Sequence, residues 1–116
     1  RGKRAPRVRH QKAQVTGSLD RDVIRRVVRA HNNSLRACYE PVLKVDANAS
    51  FRVSIGFVID SEGRVTASLT WSDEPHSDAE KAFDACLTTA LERIRFPKPA
   101  GGGTVKVRYP MVFAPG

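Results

Sequence analysis

Residues 51–71, FRVSIGFVIDSEGRVTASLTW, decide how this chain is read. Phe51, Val53, Ile55, Phe57 and Ile59 are apolar at every second position, and Val65, Ala67, Leu69 and Trp71 repeat the pattern after a polar interval. That is the period of half-buried strands. If Asp60 and Arg64 close a three-residue loop of Ser61, Glu62 and Gly63, Gly63 takes the left-handed position of a bulged hairpin. Phe57 then faces Ala67, Ile55 faces Leu69, and both apolar rows share one face. A lone hairpin is marginal in water, so that face needs a cover.

The flanking sequence offers one. Upstream, Thr16-Gly17-Ser18 marks a boundary, Ser18 can cap a helix, and Asp20 and Asp22 fall in its first turn, where carboxylates favour the helix dipole. The stripe Ile24, Val28, His31, Leu35, Cys38 and Val42, widened by Val23, Val27 and Tyr39, predicts one core-facing helix. Pro41 should kink or end it near Glu40. Residues 44–50 read as a loop. Downstream, residues 72–76 have turn composition, and Ser77 with Glu80 makes a capping box for a second helix from Asp78. Ala79, Phe83, Cys86 or Leu87, Ala90 and Ile94 share its inner face, and Pro97 and Pro99 stop it.

Val105, Val107, Tyr109, Met111 and Phe113 alternate as a third strand. Pro110 cannot donate to a ladder, which predicts an edge position or lost pairing beside it. The expected fold is α+β in the order helix, strand, strand, helix, strand, with a three-stranded antiparallel or mixed sheet of strand order 2-1-3. Both helices lie on one face, and the last strand is an edge.

A chain of 116 residues, 41% apolar, makes one domain with a modest core. It has no apolar run long enough to span a bilayer and no signal-peptide core. Beginning at Arg1, it is expected to be a piece of something longer, with any anchor or export signal upstream. The net charge of +8 is uneven: residues 1–17 carry Arg1, Lys3, Arg4, Arg7, Arg9 and Lys12 with no acid, leaving 14 basic and 12 acidic side chains in residues 18–116. Residues 1–17 therefore read as a basic disordered linker, and residues 18–116 as the folded domain. Such a tail can also touch nucleic acid or anionic lipid.

Cys38 and Cys86 both fall on the inner sides of the expected helices. They can pair as a disulfide, which would place the domain outside a reducing cytosol, or pack as two buried thiols. No metal site is expected, because His31 is the only histidine near Cys38 in spacing and no tight ligand pair occurs; His10 and His76 lie in the tail and a loop. No serine sits in a nucleophile elbow, and Asp73 and Glu74 suit turn formation. Gly101-Gly102-Gly103 reads as a hinge, since it precedes a strand and lacks the lysine and hydroxyl of a P-loop. Arg21, Arg25, Arg29 and Arg36 line the outer side of the first helix. They can meet an anionic polymer, and they are also what a solvated helix face looks like.

Residues 18–113 as a whole resemble the C-terminal domain of the TonB energy transducers. The likeness rests on a helix, a hairpin turning at an acidic-x-x-Gly-x-Val step from Asp60 to Val65, a second helix, Arg95-Phe96-Pro97 and a last strand from Val105 to Phe113. The chain is more similar to a cysteine-containing variant, the AgmX/PglI-type domain of myxobacterial gliding-motility proteins, through Cys38-Tyr39-Glu40, Cys86 and RFPKPAGGGTVKVRYPMVF at residues 95–113. The resemblance implies a non-enzymatic periplasmic interaction domain without a cofactor. It would be tethered to the inner membrane through an upstream segment, and would couple energy or force to an envelope partner in gliding motility or transport. It also favours a Cys38–Cys86 disulfide.

The partners so implied are an inner-membrane motor, reached through the upstream part, and an outer-membrane or periplasmic protein offering an extended segment. That segment would add to the edge of the last strand at Thr104, Val105, Lys106, Val107, Arg108 and Tyr109, with Lys106 and Arg108 selecting acidic residues. Readings of another class are a nucleic-acid-binding module, using the tail and Arg21, Arg25, Arg29 and Arg36, and a peptidoglycan-binding domain using the same helix face. Against nucleic acid, the aromatic residues alternate toward the expected core rather than the surface.

Overall fold

The computed structural model describes residues 6–71 and 78–116. The hairpin forms as its alternation requires: β-strands Phe51–Ile59 and Val65–Trp71 pair antiparallel, with Phe57 opposite Ala67 and Ile55 opposite Leu69. At the turn the Asp60 N–H donates to the Arg64 carbonyl, 2.9 Å, while Asp60 Oδ1 accepts from the N–H groups of Glu62 and Arg64, each 2.9 Å. Gly63 has φ +85°, a backbone conformation that glycine adopts without steric cost.

In chain order the described elements are β1 (Arg7–His10), β2 (Gln14–Thr16), α1 (Arg21–Ala30), α2 (Asn32–Val45), β3 (Phe51–Ile59), β4 (Val65–Trp71), α3 (Asp78–Glu92) and β5 (Val105–Ala114). The fold is α+β. β5 pairs with β3 and β3 with β4, the expected 2-1-3 order, but among the described residues the sheet has five antiparallel strands rather than three. The addition comes from residues 7–16: β1 and β2 both pair with the outer side of β5. Val53, Ile55, Phe57 and Ile59 of β3, and Val105, Val107, Tyr109, Met111 and Phe113 of β5, are buried in one core with residues of all three helices. At one end of that core the rings of Tyr39, Phe51, Phe83 and Phe113 meet with centroids 4.9 to 6.5 Å apart, most of them edge to face, an arrangement that suits the ring quadrupoles.

The first helix differs from expectation in three places. Its cap is Asp20 rather than Ser18, with the Asp20 carboxylate accepting from the Asp22 N–H at 2.7 Å. It breaks at His31, where the imidazole Nδ1 bonds the Val27 carbonyl, 2.9 Å, and the His31 N–H turns to Val28, 3.0 Å. A side chain competing for a helical carbonyl tightens the last turn, so the one expected helix is two. Pro41, expected to kink or end it, lies inside α2, which runs on to Val45. Pro41 is exposed, so the carbonyl it leaves without a helical donor is close to solvent. α3 begins at Asp78 as expected; the turn read for residues 72–76 and the capping role of Ser77 lie outside the described residues. A disulfide joins Cys38 of α2 to Cys86 of α3, with Cα atoms 5.7 Å apart. Cys38 is buried but Cys86 is exposed, so the bridge lies at the surface seam between the two helices and not on the inner side of both.

Candidate functional site

The sequence places residues 104–109 at a free edge after a disordered linker; in the structure part of that linker is strand, and it covers that edge. Arg7, Val8, Arg9 and His10 pair with Ala114, Phe113, Val112 and Met111, and Gln14, Val15 and Thr16 with Arg108, Val107 and Lys106. The two pieces are out of step by one residue, because residues 11–13 stand opposite residues 109 and 110 alone. This is a bulge, and Pro110 explains its place. The Pro110 carbonyl accepts from the Gln11 N–H, 3.0 Å, on the outer side of β5. In an extended strand a residue's N–H and C=O point the same way, so the N–H that proline lacks is missing on that side. The ladder to β3 runs past Pro110 in unbroken register.

The extra residue also keeps the side chains in phase. A slip of one residue exchanges the two faces of a strand, and here it lets both Val8 and Val15 pack against the core, with Ala13 between them 1% exposed. The cations Arg7 and Arg9 alternate with Val8 and His10 and project from the open face. The basic character that made residues 1–17 read as linker is, over residues 7–10, the solvated row of a strand.

His10 fixes this N-terminal strap to the rest. Its Nε2–H donates to Asn32 Oδ1 at 2.8 Å, which leaves Nδ1 to accept from the Tyr109 hydroxyl, also 2.8 Å. Its carbonyl accepts from Arg25 Nη2 at 3.1 Å. One residue of β1 thus ties α1, α2 and β5 together. Burial holds the imidazole below its ordinary value; the bond to Asn32 opposes this, and the guanidinium groups of Arg29 and Arg25 add to it. Burial also raises the Tyr109 hydroxyl to about 12, against the pull of Arg25 and Arg29. At neutral pH both groups are uncharged, as this hydrogen-bond pattern requires. Gly17, with φ +132°, ends the strap beside the Thr104 carbonyl, where a Cβ would come within 2.9 Å.

At the other side of the sheet, the Ala67 N–H of β4 donates to Glu92 Oε2 of α3 at 3.0 Å. A side-chain acceptor on an outward donor blunts an edge.

Of the residues the sequence nominates for partner binding, Thr104 is exposed just before β5, Val105, Val107 and Tyr109 are buried, and Lys106 and Arg108 are exposed on the open sheet face. Across from Lys106 lie Thr16 and Val58; across from Arg108 lie Gln14 and Gly56. A hollow lined by Gln14, Thr16, Gly56, Thr66, Lys106 and Arg108 opens there. The nominated arginines do not form one free row: Arg21 and Arg29 are exposed, Arg25 is half-buried on His10, and Arg36 donates to Asn33 Oδ1 at 2.9 Å. His31 is occupied by the Val27 carbonyl. Among the described residues no group of three or more His, Cys, Asp or Glu side chains is placed to hold a metal ion, and no helix is long and apolar enough to cross a membrane.

His10, Asn32 and Glu92 escape a sequence reading. The only signal for the first was the Arg-Val-Arg-His alternation inside a stretch dominated by charge; for the other two there was none, since each acts on a residue distant in the chain. Comparison with family models, curated proteins and solved structures finds no match.

Proposed function

We propose that this is a non-enzymatic protein-interaction domain of TonB type, which takes a partner's extended segment along the outer side of β5. Its setting in this reading is the periplasm. There, an upstream segment tethers it to the inner membrane, and capture of the segment couples inner-membrane force to an envelope partner. The observation that carries the reading is the chemistry of the pairing now on that edge. β2 is short, and it sets the neutral side chains of Thr16 and Gln14 across from Lys106 and Arg108. Oppositely charged cross-strand pairs stabilise a ladder by about 0.2–1 kcal/mol each, so an incoming strand with carboxylates at those two places gains two pairs that the resident one lacks. The surface disulfide suits an oxidising compartment.

A labelled acidic peptide, valine alternating with glutamate and alanine at the place of the enclosed Ala13, titrated into the whole chain, tests the reading. It is expected to shift the backbone amide resonances of residues 105–109, and Lys106→Glu with Arg108→Glu should weaken it at least tenfold while the circular dichroism spectrum is unchanged. Binding that leaves those amides unmoved, or is indifferent to the charge reversal, would defeat it.

A further inference from the structure

Residues 7–16 cover the outer edge of β5 with a definite pattern. Val8 and Val15 stand opposite Phe113 and Val107 and reach the core, and Ala13 is almost fully enclosed. Close-packed interiors resist added volume, so that position admits only a small side chain. The extra residue between His10 and Gln14 follows from Pro110, and any strand laid on this edge has to meet it. Outward, Gln14 and Thr16 leave Arg108 and Lys106 facing neutral groups. The strap therefore matches the edge in shape and falls short of it in charge.

We infer that residues 7–16 are a resident stand-in for the guest, whose pattern specifies what the edge accepts: an extended acidic segment antiparallel to β5, apolar where Val8 and Val15 lie, alanine or glycine where Ala13 lies, and carboxylate where Gln14 and Thr16 lie. The inference rests on strand capture as proposed above and adds the competitor and the recognition pattern. Capture is then an exchange. The guest's apparent affinity is its intrinsic affinity reduced by the fraction of molecules whose edge is vacant, so whatever tightens the strap weakens capture. His10, bonded to Tyr109 and Asn32 with Arg25 on its carbonyl, adds side-chain hydrogen bonds to the backbone ladder that holds the strap.

The experiment uses the whole chain, with its disulfide intact, and labelled peptides copying residues 7–17, followed by fluorescence anisotropy and amide exchange. A copy carrying glutamate in place of Gln14 and Thr16 is expected to bind about 3- to 10-fold tighter than the plain copy. Phenylalanine in place of Ala13 in the acidic copy should cost about tenfold or more. The same changes reverse their effect when made in the protein: Gln14→Glu with Thr16→Glu, both at exposed positions, should weaken binding of the acidic copy about 3- to 10-fold. His10→Ala should strengthen it about 5- to 10-fold, and the strap amides should lose protection when the peptide binds.

Equal affinity of the alanine and phenylalanine copies, no response to the substitutions at Gln14 and Thr16, or strap amides that stay protected in the complex would each overturn the stand-in. If a valine–glutamate peptide still shifts residues 105–109 in those cases, strand capture itself survives. Failure of every extended peptide to move those amides removes both.

Discussion

At Gly63 two independent demands meet on one residue. The backbone has φ +85°, and a Cβ added there would lie 2.1 Å from the Phe96 carbonyl oxygen, because the Phe96 N–H donates to the Gly63 carbonyl at 3.0 Å. The hairpin turn is thereby held to the segment after α3, where Phe96 stacks on Phe57 with centroids 5.7 Å apart. Gly63→Ala is expected to cost about 2 kcal/mol or more from the left-handed backbone and the clash together, a fall in Tm of about 10 °C, read by thermal denaturation. The Asp60 carboxyl is held below its usual range chiefly by the Arg64 N–H, with the Glu62 N–H and the Arg64 and Arg95 charges adding to it. The turn was legible in the sequence because all of its residues are local. The approach of Phe96 was not, since it depends on where a segment thirty-odd residues later comes to rest.

The strap of β1 and β2 answers to pH through His10. Docked, the imidazole is held below 6.5 by burial and by Arg29 and Arg25; released, it returns to the ordinary value. The undocked strap therefore binds the proton more readily, and docking is fully supported above pH 6.5 and weakens as pH falls through the docked value. The groups facing the ring are Asn32 and Tyr109, which are neutral, and two cations, so no carboxylate among them offsets the new charge. In an NMR titration the His10 resonance should have its midpoint below 6.5, with the amide resonances of residues 14–16 moving toward unstructured values over the same range. A midpoint at or above 6.5 would contradict this. The strap is not legible in the charge summed over residues 1–17, because a sheet responds to alternation. In the first helix the apolar stripe is legible and the break is not: Pro41 is the familiar breaker, yet an exposed proline is tolerated inside α2 and His31 interrupts the helix by taking a carbonyl.

For the whole molecule, the Cys38–Cys86 bridge closes a loop with a sequence separation of 48. Limiting the unfolded chain to that extent is worth about 4 kcal/mol in the loop-entropy account. Cys38→Ser with Cys86→Ser should lower the urea midpoint by an amount equivalent to about 2–4 kcal/mol, and an unchanged midpoint would show that the native fold does not depend on the staple. Because Cys86 is exposed, a soluble thiol reductant should open the bridge in the folded protein. Alkylation and intact mass would then show one added group without denaturant, at Cys86, and a second, at the buried Cys38, only in denaturant.

By itself the sequence determined the hairpin with its register, the order of the three strands that share the core, the helix stripes and the pair of cysteines able to meet. The hairpin and the stripes follow from short-range periodicity and from residues adjacent at a turn, and the strand order follows from the handedness of the crossover. Tertiary structure alone decided that β5 is not an edge. That outcome depends on residues 7–16 returning across the chain to meet residues 106–114, on a bulge placed by the missing N–H of Pro110, and on a histidine finding partners on three other elements. Periodicity states which side of a segment is apolar. Which strand's open backbone it will satisfy is settled only when all the others are in place.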